Sequence, residues 1–153
     1  MSKAPPPVSL VPDGPWAGWL AWSDPVPGTF LETAIGTSCS RGDGAGKAVV
    51  MLESRPSHAN RLGALHGGFL AGFADHALFA ALAAMGRPEQ AAAVTVDLNM
   101  QYCGAGRLGP PLRADVDLLK ETGKLLFLRM TISQEDTLIA AASATVRKAP
   151  APK

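Results

Sequence analysis

The stretch "ANRLGALHGGFLAGFADHALFAALAAMGRP", residues 59–88, decides the fold. From Gly67 to Met85 it is almost wholly apolar, and Gly86 followed by Pro88 supplies the punctuation that closes a helix. The spacing predicts one long helix. A helix apolar on every side is wrapped by the rest of its fold, yet Asp75 and His76 stand in the middle of this one. An unpaired carboxylate in such a place costs about several kcal/mol, so Asp75 needs a partner or a task.

The helical periodicity suggests which. Gly68, Ala71, Gly72 and Asp75 recur at i, i+3, i+4 and i+7 and share one face. Three of the four are small enough to let another helix come close. Asp75 lies eight residues past Gly67, about 12 Å along the axis, too far to act on anything held at its own helix start. Two copies crossing antiparallel near Ala71 would bring Asp75 of one beside Gly67 of the other, giving two equal sites in a two-fold dimer. There the carboxylate could serve as base or nucleophile.

The helix start is the other half of that expectation. His66-Gly67-Gly68 offers no Ser, Thr, Asp or Asn cap, so the first backbone N–H groups should lack an acceptor. With glycines leaving room and the helix dipole favouring negative charge, a carbonyl oxygen turning into an oxyanion could be held there. Taken alone, two glycines serve a tight turn equally well.

Working outward, four segments alternate with period two: "AVTVDLNMQY", "PLRADVDLLK", "LLFLRMTIS" and "TLIAAASATV". The short connections "GAGRLGP", "ETG" and "QED" predict antiparallel neighbours. In the first, Val94, Val96, Leu98, Met100 and Tyr102 should face one way and Thr95, Asp97, Asn99 and Gln101 the other. "KAVVMLES" is a further strand after the turn-rich "SRGDGAG", whose spacing does not fit a phosphate loop. "TFLETAIG" reads as a short helix, with Thr29 and Glu32 in capping-box relation and Gly36 at its end. Together these give an α+β fold, a long central helix wrapped by an antiparallel sheet of five to six strands.

Seven of the 13 prolines fall in the first 27 residues, predicting an extended leader, residues 1–27, ahead of one domain at 28–148. The "APAPK" end looks similar. Within the leader, "WAGWLAW" places Trp16, Trp19 and Leu20 at helical spacing, as a plug for an exposed core edge. A net charge of +1 argues against nucleic acid or an acidic membrane as partner. Asp75 and His76 argue against the helix as a membrane span. Cys39 and Cys103 read as free thiols of a reducing compartment, which makes the expected location cytoplasmic. His58, His66 and His76 lack zinc spacing, so no metal is expected, and no G-x-S-x-G elbow exists for a serine hydrolase.

Asn60, His66, Gly67, Gly68 and Asp75 at this spacing, followed by "TVDLNMQY", resemble the hotdog-fold acyl-CoA thioesterases of the phenylacetate-pathway type. The resemblance runs from about Phe30 to Arg147. It implies dimers that join sheets edge to edge, often paired into tetramers, and an acyl-CoA substrate with no further cofactor. It also implies roles. The Gly67 amide, helped by Asn60, polarises the thioester carbonyl, and Asp75 of the other chain activates water or attacks directly. Thr95 positions that water, and His66 assists at the leaving sulfur. Gly68, Tyr102, Arg107, Lys120, Gly123, Lys124 and Leu125 are the implied substrate contacts. His76 departs from the pattern and reads as a core or interface histidine. Two other functions stay open at this point: a hotdog dehydratase on hydroxyacyl thioesters, and a non-catalytic acyl-CoA binder.

Overall fold

The helix predicted from residues 59–88 is α1, Gly67–Ala84. It ends where Gly86 takes φ +83, a left-handed turn that a side chain would strain. The computed structural model describes residues 8–150. The expectation of an extended leader falls, for residues 1–7, outside the described residues, as does the end of "APAPK".

Eight strands surround the helix: β1 (Val8–Leu10), β2 (Leu20–Trp22), β3 (Ser38–Gly42), β4 (Lys47–Leu52), β5 (Val94–Tyr102), β6 (Leu112–Glu121), β7 (Leu125–Gln134) and β8 (Thr137–Arg147). They form one antiparallel sheet in the order β1-β2-β3-β4-β6-β7-β8-β5. This is the hotdog architecture. The period-two pattern works as expected in β7, where Leu126, Leu128, Met130 and Ile132 are buried toward α1. In β8 the residues turned to the helix are Ala140, Ala142, Ala144 and Val146. Ala74, Ala77 and Ala81 of α1 are buried in the same core. Although α1 is long and apolar enough to cross a membrane by composition, it is the core helix here.

Several expectations are corrected. Among the described residues the sheet has eight strands rather than five to six. β1 and β2 have three residues each, too few to show a period, and β3 is hidden in serines and a glycine of turn-like composition. The leader segment read at helical spacing contributes β2 instead: Trp22 is buried, and Trp19 lies under the Arg41 guanidinium, 4.6 Å from the ring centroid. β5 is not a neighbour of β6. The connection 103–111 carries the chain across the end of the sheet, so that β5 pairs with β8 and its other side is an open edge.

The alternation predicted for β5 is broken as well. The register slips between Thr95 and Asp97, a bulge at Val96 that turns the strand by one position. Thr95 therefore joins Leu98 and Met100 on the helix side, while Val94 and Val96 are 45% and 61% exposed. A short helix forms at Leu31–Ile35, a single wide turn ending at Gly36; the Glu32 amide donates to Thr29 Oγ1, but the Glu32 carboxylate accepts from the Gly28 N–H rather than from Thr29, so the expected capping box is not closed.

Candidate active site

The start of α1 is capped, contrary to the reading that His-Gly-Gly offers no cap. His66 is the N-cap residue, and its Nδ1 accepts the Gly68 N–H at 2.9 Å. A backbone amide can only donate, so Nδ1 carries the lone pair and the ring proton of the neutral imidazole sits on Nε2. The Gly67 N–H has no acceptor among the described residues. Over Gly67 lies Tyr102, whose hydroxyl donates to the Gly67 carbonyl at 2.9 Å. Its ring stands 3.5 Å from where a Cβ on Gly67 would be.

Asn60 is held nearby by a loop it organises itself. Its Oδ1 accepts the Leu62 N–H at 2.8 Å and the Ala64 N–H at 3.1 Å, leaving its NH2 without a protein partner among the described residues. The loop leans on the segment after β5: Leu65 N–H donates to the Gly106 carbonyl, and Ala64 bridges Arg107. Arg107 is fixed in turn by Gln134, whose amide bonds both its N–H and its carbonyl, while its guanidinium pairs with Glu135 at the surface. Asn60, His66, Gly67, Gly68, Tyr102 and Arg107 thus gather at one end of α1.

Asp75 and Thr95 meet at the other end of the sheet, halfway along α1. The Thr95 hydroxyl donates to Asp75 Oδ1 at 2.6 Å, a charge-assisted bond that fixes the carboxylate's orientation. Asp75 borders a cavity of about 240 Å³ lined by Trp22, Phe30, Ile35, Gly72, His76 and Phe79. His76 is 8% exposed and lies 2.7 Å from Ser38 Oγ through Nε2. Burial lowers its pKa to about 4, so the ring is neutral. Lys120, Gly123, Lys124 and Leu125 belong to the β6–β7 hairpin at this same end, where Val94 and Leu125 flank Arg147 across the sheet. An open cleft of about 470 Å³ there is lined by Val94, Gly123, Lys124, Arg147 and Lys148. Lys148 is engaged by Glu121, whereas Lys124 and Arg147 have no ion-pair partner among the described residues.

The fold therefore brings Thr95 to Asp75 and Tyr102 to Gly67, but it does not bring the two pairs together within one chain. Nor does it join Tyr102 and Arg107 to Lys120, Gly123, Lys124 and Leu125, which lie at opposite ends of ten-residue strands, roughly 30 Å apart. The face of α1 between the two ends is the open one. Phe69, Leu70, Phe73 and Ala74 are buried, while Gly68 is exposed and Ala71, Gly72 and Asp75 are half-buried.

Three residues of the neighbourhood were given no role at the site by the sequence. His58 is buried and stacked on Phe69 with ring centroids 3.7 Å apart, its Nδ1 accepting the Arg55 N–H. It lines a second cavity, about 420 Å³, that reaches His66 and Gly68. Phe30, 64% exposed, borders both cavities. Gln134 has no motif around it. Among the described residues no group of three or more His, Cys, Asp or Glu could hold a metal, and both cysteines are free thiols, Cys39 buried and Cys103 exposed.

Comparison with known proteins gives three kinds of match. The family described as "Thioesterase superfamily" matches residues 62–141. "Putative esterase PA0474" of Pseudomonas aeruginosa is 32% identical over 113 residues, 74% of this chain and 84% of that protein. Human acyl-coenzyme A thioesterase 13 is 29% identical over 92 residues, 60% of this chain and 64% of that protein, so the chain spans just under two thirds of this relative. Among solved structures, a variant of the phenylacetic acid degradation protein PaaI from Thermus thermophilus is similar, with TM-score 0.63 and 26% identity over 78% of this chain and 98% of that one.

Proposed function

The chain belongs to the thioesterase superfamily, and from that premise we propose that it hydrolyses an acyl-CoA thioester to a free carboxylic acid and coenzyme A at sites shared by two copies. The observation that carries this reading is the Gly67 N–H, which has no acceptor among the described residues, about 12 Å along α1 from a carboxylate held by Thr95.

In the shared site the thioester carbonyl oxygen accepts from Gly67 N–H at the helix start, where the dipole favours the charge that develops on it. The Asn60 NH2 is the second donor. Asp75 of the other copy takes a proton from water as the water oxygen bonds the carbonyl carbon, or attacks that carbon itself to give, once sulfur has left, an anhydride that water then cleaves to the free acid. Collapse of the tetrahedral intermediate breaks the C–S bond, and the electron pair leaves on sulfur. The Nε2–H of His66, free because Nδ1 is the cap, is the donor suited to that thiolate.

Two features support a shared site. β5 presents an unpaired edge with exposed Val94 and Val96, an invitation to pair with another strand. Antiparallel pairing of two β5 edges sets the Asp75 end of each copy against the Gly67 end of its twin. The same arrangement would unite Tyr102 and Arg107 with the Lys124 and Arg147 cleft, cations suited to the phosphates of coenzyme A. The exposed Arg107–Glu135 pair is exchangeable for a phosphate at little cost.

The experiment is a panel of acyl-CoAs with a thiol reagent. Release of free coenzyme A by the wild type, and its loss in Asp75→Ala, is the expected result. Retained acyl-CoA with no release would instead favour a binding protein.

A further inference from the structure

We propose that His76, with Ser38 behind it, is the hydrogen-bond-donating floor of the cavity beside Asp75, and that it selects acyl groups carrying an oxygen acceptor. The proposal rests on the thioesterase reading, in which this cavity receives the acyl group.

Apart from Asp75 at its rim and the Trp22 indole N–H, the cavity wall is carbon, Phe30, Ile35 and Phe79 among it, with Gly72 leaving depth. His76 is the other polar side chain. Its Nε2 is 2.7 Å from Ser38 Oγ, and its Nδ1 has no protein partner among the described residues. No fully buried side-chain nitrogen or oxygen there lacks a partner, so Nδ1 is reached from the cavity that His76 lines.

The direction of the Ser38 bond follows from its surroundings. Ser38 is wholly buried, and its side chain bonds nothing but His76 among the described residues. If Nε2–H donated to Ser38, the hydroxyl hydrogen would be left without an acceptor, an expensive state in a core. When Ser38 O–H donates to Nε2 instead, every polar hydrogen of the pair is used but one, and Nδ1–H faces the cavity. Trp22 meets the imidazole edge to face, centroids 5.6 Å apart at 85°, and limits its rotation. A neutral, oriented donor in an apolar pocket is satisfied by an oxygen on the ligand and penalises a ligand lacking one. The volume, about 240 Å³, suits a ring or a short branched chain with one hydroxyl, keto or ether oxygen.

The test uses matched acyl-CoA pairs that differ by one oxygen, benzoyl against 4-hydroxybenzoyl and butyryl against acetoacetyl. In at least one pair the wild type should favour the oxygenated member by about tenfold in kcat/KM, the worth of one hydrogen bond. The double variant Ser38→Ala/His76→Phe leaves no orphaned hydroxyl, and its ratio should fall to about one with the unoxygenated ester still cleaved. Wild-type ratios near one in both pairs, or a preference surviving in the double variant, would overturn the proposal. Should the variant not fold, a ¹H–¹⁵N spectrum of the wild type decides: the His76 Nδ1–H signal should move with 4-hydroxybenzoate or acetoacetate but not with benzoate or butyrate. No movement with either oxygenated acid sinks the assignment. Failure to cleave any ester defeats the hydrolase reading, a result separate from cleavage without preference.

Discussion

Thr95 donates its hydroxyl proton to Asp75 Oδ1 at 2.6 Å from the one place in β5 where the strand register slips. Without the bulge, Thr95 would share a face with Asp97 and Asn99 and point away from α1. The bulge at Val96 turns it inward, and an edge strand thereby delivers a hydroxyl to a carboxylate in the middle of an apolar helix.

If that pair does the chemistry, Asp75→Asn should fold and lose at least about 10² in kcat, the scale of a catalytic acid or base. Thr95→Ala should lose roughly tenfold and Thr95→Ser little, since the hydroxyl is what Asp75 uses. Steady-state kinetics on one good substrate check all three, and near wild-type turnover in Asp75→Asn would remove the assignment.

The loop around Arg107 depends on Gln134, 2% exposed, whose side chain accepts the Arg107 N–H and donates to the carbonyls of Arg107 and Pro110. Gln134→Leu strands three backbone groups and should destabilise the fold by about 2–4 kcal/mol. Urea unfolding measures it. Because the Asn60 loop leans on Arg107, activity should fall as well, and an unchanged midpoint would contradict the account.

Acid should weaken the fold in a defined window. His76 titrates near 4 when folded because burial disfavours its charged form, against about 6.5 when unfolded. The unfolded chain thus binds the extra proton between those values. Stability from this group is full above about pH 6.5 and is lost as pH falls through 4, about 3 kcal/mol in all. His58, lowered chiefly by burial and then by Arg55, acts in the same direction. Urea midpoints at pH 7 and 4.5 test this: the drop should be smaller in Ser38→Ala/His76→Phe, and an equal drop would exclude His76 as its source.

Sedimentation at micromolar concentration should show a dimer or a larger even assembly. Val96→Lys, which puts a charge on the open edge of β5, should weaken association at least about tenfold while circular dichroism stays unchanged. A wild-type monomer with full activity would contradict the shared site.

Much of this was legible in the sequence where a pattern repeats. α1 announces itself by its apolar length and its Gly86-Pro88 stop, and β4 to β8 by residues long enough to alternate. Asp75 stood out because a charge in that helix needs a reason, and the face it shares with Gly68, Ala71 and Gly72 is the one left open. What escaped depends on contacts distant in the chain. The His66 cap is not on the usual roster of cap residues. The bulge at Val96 leaves no mark on an alternating string. Ser38 meets His76 only because β3 and α1 pack together, and Gln134 looks like any polar residue before a turn.

The sheet has two ends of unequal character. On one side β5 is long and open. On the other, the described part of β1 is three residues followed closely by Pro12, a short edge with little ladder to offer. If two copies pair through β5 as proposed, the described rim left over is this short one, and growth into a ribbon is disfavoured.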